Sequence, residues 1–130
     1  MIKKISISTH SQIELLNITS YVEKLVQESG VKEGVCYLFV PHTTAGITIN
    51  EGADPSVKED IINQLNKVVP LKGNYLHLEG NSPAHIKTSL IGSSEIIFIE
   101  EGQLILGTWQ SLYLCEFDGP RTRKILIKII

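Results

Sequence analysis

Residues 95–130 hold three strand-like runs, roughly 95–100, 104–117 and 122–130, punctuated by turn signals at Gly102 and Gly119-Pro120. Links this short cannot carry a parallel crossover, which takes a dozen or more residues, so these runs are expected to pair as antiparallel hairpins. Gly107 predicts a break within 104–117. Upstream, IKKISIS (2–8) alternates apolar with charged or polar residues, as a half-buried strand does, and QIELL (12–16) reads as a second short strand. VCYLFV (35–40) is a continuous β-rich run and predicts a central strand buried on both faces, with GITIN (46–50) as its neighbour.

Three helices interrupt the strands. Ser20 with Glu23 fits a capping box, with Thr19 as the alternative cap; Val22, Leu25 and Val26 keep helical spacing, and Gly30 stands where a helix would end. Asp54-Pro55 reads as an N-cap followed by proline at the first helical position, opening a helix to about Val68 with Val57, Ile61, Ile62, Leu65 and Val68 on one stripe. Residues 71–82 are loop-like, and a short helix is expected from Pro83 to Leu90, ended by Gly92. The order β-β-α-β-β-α-α-β-β-β makes this an α+β chain forming one domain over residues 1–130. That length suffices for a core without staples.

Charge and composition narrow the function classes. Twelve lysines and arginines face fourteen acids, and no basic run appears, which argues against a nucleic-acid partner. The apolar runs are too short to span a bilayer, so no membrane role is expected. Cys36 and Cys115 lie in apolar strand-like runs without a CxxC pattern; they read as buried small hydrophobes in a reducing cytoplasm.

Candidate chemistry gathers around histidines. His42, His77 and His85 sit among Gly, Asn, Thr and acidic residues, whereas His10 has no such company. Neutral imidazole is a common ligand for divalent metals, and three protein ligands plus water is a usual catalytic arrangement. Structural or separately catalytic histidines are the alternative. Glu51, just past a strand and within ten residues of His42, reads as a general base or an ordinary loop acid; Asp60 lies between Val57 and Ile61 on the helical wheel and is expected to face inward. In Gly80-Asn81-Ser82-Pro83-Ala84-His85, Asn81 stands at a helix N-terminus as either a cap or an anion ligand, and His85 in the first turn suits a metal ligand or a proton acceptor. The only two arginines, Arg121 and Arg123, are close enough in DGPRTR to grip phosphate or to close on Asp118. Trp109 is expected in the core, with Gln110 on the opposite face.

Several ordered motifs together resemble the YjbQ-like family, also known as secondary thiamine-phosphate synthase. They are His42-Thr43-Thr44-Ala45, Ile49-Asn50-Glu51, Ala53-Asp54-Pro55, Gly80-Asn81 with His85-Ile86-Lys87, Gly107-Thr108-Trp109-Gln110 and Asp118-Gly119-Pro120-Arg121. The resemblance spans nearly the whole chain. It implies a compact α+β domain with a mostly antiparallel, β-sandwich-like core and flanking helices, assembled as a homotrimer. It also implies an enzyme joining a pyrimidine methyl diphosphate to a thiazole phosphate, giving thiamine phosphate and pyrophosphate. On that reading His42, His77 and His85 hold a divalent metal (zinc, manganese or magnesium), and Glu51 and Asp60 are the catalytic carboxylates. Asn81, Arg121, Arg123 and Gln110 then bind the phosphorylated substrate. Three imidazoles suit metal-activated water equally well, so a metal-dependent hydrolase stands beside the transferase. A non-catalytic module binding a small anionic metabolite is the further alternative.

Overall fold

The computed structural model describes residues 1–130. In chain order its elements are β1 (Ile2–Ser8), β2 (Glu14–Asn17), α1 (Thr19–Ser29), β3 (Gly34–Phe39), β4 (Ala45–Glu51), α2 (Pro55–Val68), α3 (Ser82–Ile91), β5 (Ser94–Glu100), β6 (Gln103–Leu104), β7 (Gln110–Glu116) and β8 (Thr122–Ile129). They form two antiparallel sheets, ordered β1-β8-β3-β5-β6 and β2-β7-β4, curled into a half-barrel. The expected break at Gly107 is real, since β6 stops at Leu104 and β7 begins at Gln110; but of the C-terminal runs only β5 and β6 pair as a hairpin, while β7 joins the three-stranded sheet and β8 pairs with β1 and β3.

Period-2 alternation builds the core. Ile7, Cys36, Leu38, Ile97, Ile99, Ile125 and Ile127 from the five-stranded sheet face Ala45, Ile47, Leu112 and Leu114 from the three-stranded sheet, with Ile18, Val22 and Val26 closing the cluster beside α1. The other face of the three-stranded sheet carries Leu15, Tyr113, Cys115 and Phe117, covered by Ala84 and Ile91 of α3 and by Ile61, Ile62 and Leu65 of α2. Val68, expected on that stripe, is 61% exposed.

Three local expectations need correction. β3 is central but buried on one face alone: Cys36 and Leu38 point inward, while Tyr37 and Phe39 are 42% and 48% exposed. The outer face of its sheet is apolar, with Ile96 and Phe98 beside them, but no element of the chain packs on it. β4 is not its neighbour, because both hydrogen-bonding edges of β3 are taken by β5 and β8, and β4 pairs with β7 instead. No capping box opens α1; Asn17 Oδ1 accepts from the Thr19 amide and hydroxyl, while the Thr19 Oγ accepts the Leu112 N–H at 2.8 Å. That long-range bond fastens the start of α1 to β7.

α2 matches its expected bounds, with Asp54 Oδ1 accepting the Ser56 N–H at 2.9 Å. α3 is fixed from both sides. Its closing Gly92 carbonyl accepts the Ile47 N–H at 3.1 Å, an approach so close that a Cβ on Gly46 would lie 2.6 Å from that oxygen. On its α2 side, the buried Lys87 donates through Nζ to Asn66 Oδ1. α3 therefore holds its first turn firmly above one end of the sandwich.

Candidate functional site: a polar cleft over a buried ion pair

Strand parity sends two charges inward at that end. Glu116 shares a face with Leu112 and Leu114, and Arg123 shares a face with Ile125 and Ile127; both are fully buried. They meet there, with Arg123 Nε donating to Glu116 Oε1 at 2.9 Å and Nη2 to Oε2. Two charges removed from water are tolerated only if every remaining lone pair and N–H finds a partner. Here the partners are the surface above. Arg123 Nη2 donates to the Thr44 carbonyl at 3.1 Å and hydroxyl at 2.8 Å, the Thr9 hydroxyl donates to Glu116 Oε1 at 2.8 Å, and Asp118 N–H donates to Glu116 Oε2 at 3.0 Å. Thr9 Oγ in turn accepts the Arg121 N–H at 2.8 Å.

This network sets the floor of an open cleft of about 550 Å³ lined by Thr43, Thr44, His77, Glu79, Asn81, His85, Asp118 and Arg121, with no hydrophobic residue among them. The Asp118 carboxylate accepts from Asn81 Nδ2 and from Arg121 Nη2, each at 3.0 Å, and Arg121 Nε donates to the Asp118 carbonyl at 2.9 Å. Across the cleft, His77 from the 71–81 loop and His85 from the first turn of α3 meet edge to face with ring centroids 5.4 Å apart. His77 Nε2 lies 3.8 Å from Glu79 Oε2, an ion-pair distance and not a hydrogen bond. Two carboxylates face one guanidinium, so with neutral imidazoles the cleft is net negative.

Of the residues expected at a site, the fold brings together His77, His85, Asn81 and Arg121. Asn81 does not cap α3 with its side chain; its amide anchors Asp118. His42 is half-buried beside the cleft without lining it, and its Nε2 accepts the Lys124 N–H at 2.9 Å. Burial, and next the positive charge of Arg123, hold the His42 imidazole below its ordinary pKa, so it stays neutral. Arg123 is 2% exposed and reaches the cleft only through Thr44. Glu51 ends β4, where its Oε2 accepts the Ala53 N–H at 2.7 Å, so it shapes the turn into α2. Asp60 is exposed on α2 and does not face inward, and Gln110 Oε1 accepts the Gly107 N–H at 2.8 Å in an exposed turn. Trp109 is 65% exposed, contrary to the core position expected of it. Thr43, Thr44, Glu79 and Asp118 were not singled out as site residues. Their signal was proximity in sequence, since each lies within three residues of His42, His77 or Arg121.

The expected metal centre is overturned by this geometry. No three His, Cys, Asp or Glu side chains converge closely enough to hold a metal ion. His42 Nε2 spends its lone pair on the Lys124 amide, and His42 does not line the cleft with His77 and His85. The donor set does not fit a divalent ion.

Comparison with known proteins decides the family. Residues 3–130 match the model of the UPF0047 protein YjbQ-like family. The chain belongs to that family. Among its relatives, the UPF0047 protein of Methanocaldococcus jannaschii is 55% identical, covering 100% of this chain and 94% of its own length. The Bacillus subtilis UPF0047 protein YugU is 48% identical, covering 100% and 99%. A Clostridium acetobutylicum member of the YjbQ/UPF0047 family superposes with a TM-score of 0.96 at 56% identity, covering 98% of this chain and 99% of that one. A Sulfolobus solfataricus YbjQ-like protein of unknown function gives 0.94 at 36%, covering 99% and 95%. These relatives carry family names, and none of those names gives a thiamine-forming activity. With no group of His, Cys, Asp or Glu placed to hold a metal, and with none of these relatives named for such an activity, the expected metal-dependent transferase or hydrolase acting on a phosphorylated molecule is corrected. UPF0047 membership stands for fold and ancestry.

Proposed function

We propose that the cleft is an acid–base catalytic site for a small hydrophilic molecule, neutral or cationic, bearing hydroxyl or amino groups. The observation that carries this reading is the pairing of His77 and His85 above the Asn81–Asp118–Arg121 clamp in a cleft without apolar lining. A wholly polar wall offers nothing to an apolar ligand, and net negative charge disfavours an anion. His85, on a rigid helix, acts as the base that takes a substrate proton. His77, oriented by Glu79, returns a proton to the leaving or accepting atom. Asn81 and Asp118 hold the substrate's polar groups, and the free edge of the Arg121 guanidinium donates to its oxygen atoms. The proposal also takes the protein to be a homotrimer, as the family resemblance implies, and to work in the cytoplasm. Free, buried Cys36 and Cys115 support the reducing compartment, and no helix is long and apolar enough to cross a membrane.

A thermal-shift screen of polyols, sugars, amino alcohols and amino acids, followed by turnover assays on the hits, tests this. At least one compound is expected to raise the melting temperature and to be converted. His85→Asn is expected to lower turnover about 100-fold or more while retaining binding, and Asp118→Asn to weaken binding. Hits that bind equally well to Asp118→Asn and are converted equally well by His85→Asn would sink the reading.

A further inference from the structure

Most polar atoms of the clamp are spent on one another, and those that are not fall into two groups of opposite hydrogen-bonding sense. Asn81 Nδ2 donates to Asp118 Oδ2, which fixes the amide, because its oxygen turned to that carboxylate would set acceptor against acceptor. Asn81 Oδ1 is thereby buried without a hydrogen-bond partner. Asn81 and Arg121 both take Asp118 Oδ2, so Asp118 Oδ1 is a second open acceptor. The open donors are as few. Arg121 uses Nε and Nη2 on Asp118 and keeps its Nη1 N–H groups, on a side chain that is 50% exposed. The Thr44 hydroxyl oxygen accepts from Arg123 Nη2, which leaves its own hydrogen to give, from a residue lining the cleft.

The two open acceptors have a place of defined size beside them. Asn81 and Asp118 line the cleft and also a recess of about 40 Å³, which they share with Gln12, Gly80 and Phe117. That is room for a group as large as a water molecule, whose share of the liquid is about 30 Å³. A primary ammonium is of that size. It also brings three N–H donors on one atom, to oxygens of which one carries negative charge and the other is costly to leave unpaired.

We propose that the cleft binds a free α-amino acid by its two poles. The ammonium enters the recess and donates to Asn81 Oδ1 and Asp118 Oδ1. The carboxylate takes the Nη1 N–H groups of Arg121 and the Thr44 hydroxyl. Asp118 and Arg121 are bridged at 3.0 Å, so the acceptor pair and the donor pair stand side by side, as the two poles on one carbon require. The amino acid's side chain then lies toward His77, His85 and Glu79, where no apolar wall receives it, so it is polar, uncharged or cationic. This rests on the reading of the cleft as an acid–base site and names its substrate class. A polyol or sugar is the poorer occupant, having no cation for the recess.

A thermal-shift comparison of serine, threonine, asparagine, glutamine, lysine and arginine on the full-length protein picks the best binder. Calorimetry then compares it with its decarboxylated amine and its deaminated acid. Loss of either pole is expected to weaken binding at least ~10-fold. Asp118→Asn is expected to shrink the preference for the amine and keep that for the carboxylate, and Arg121→Gln to do the reverse. Both preferences are ratios within one variant, so a general loss of affinity does not imitate them. Failure of all six amino acids to bind overturns the proposal, as does an amine or a deaminated acid that binds as tightly as its parent. Conversion of a polyol by a protein that binds no amino acid overturns the substrate class and spares the acid–base reading. An amino acid held by both poles yet converted equally fast by His85→Asn bears out the class and overturns that reading.

Discussion

Glu116 and Arg123 carry charge into a core that is otherwise hydrocarbon, and everything above them depends on how that charge is satisfied. Burial alone would push the Glu116 carboxyl up. Hydrogen bonds from Arg123, then from the Asp118 N–H and the Thr9 hydroxyl, more than offset it and hold the carboxyl below its ordinary range. Its folded pKa is thus lower than its unfolded one, so the stability it adds is present at neutral pH and is lost as pH falls below about 4.5 through the folded value. Glu116→Gln is expected to cost about 3–5 kcal/mol in urea unfolding at pH 7, because it strands a buried guanidinium. The acid limb of its stability curve should also flatten. Glu116→Leu/Arg123→Met is expected to recover part of that loss without restoring the tethers on Thr44 and Asp118. A single variant as stable as the parent would show that the pair does not organise the cleft floor. Neither residue's part was legible in the sequence: Arg123 read as a phosphate ligand, and nothing local singled out Glu116.

At the scale of elements, legibility followed locality. α2 was readable to the residue because Asp54, Pro55 and the helix they open interact within one turn. Of the strands of the last third, only β5 and β6 pair as their short link predicts; β7 crosses to β2 and β4, and β8 pairs with β1 and β3, because the edges they fill belong to strands far upstream. β4 was misplaced beside β3 because its partner, β7, lies some sixty residues downstream and competes with nothing visible nearby. α3 shows the same limit. Its span was predictable, but its height above the sheet depends on Gly46 admitting the Gly92 carbonyl. Gly46→Ala is expected to destabilise by about 2 kcal/mol through overpacking, measured by denaturant unfolding, and to weaken any cleft ligand by displacing His85. A variant with parental stability would mean that α3 is free to ride on β4.

The whole molecule is a stack of five-stranded sheet, core, three-stranded sheet and two helices, with the stack's polar end carrying the cleft. Burial pushes the Cys36 thiol up to about 11 and the Cys115 thiol up to about 12, so neither is a thiolate at working pH. Both are expected to resist an aromatic disulfide reagent at pH 8 in the native protein and to react fully in denaturant. Their labelling rate then reports opening of the molecule; fast labelling without denaturant would show that a sheet opens locally. The reading of both cysteines as buried hydrophobes holds.

The sequence by itself determined the α+β class, the hairpin of β5 and β6 and the bounds of the proline-opened helix. Each of these rests on interactions between residues close along the chain. Tertiary structure alone decided that His77 and His85 share a cleft while His42 turns its nitrogen to a backbone amide. It also decided that Arg123 lies beneath the surface and that Asp118, seen only as a partner for arginine, holds the clamp. Those outcomes depend on strand parity and on which distant edges pair, and a side chain's neighbours follow from that pairing rather than from its position in the chain.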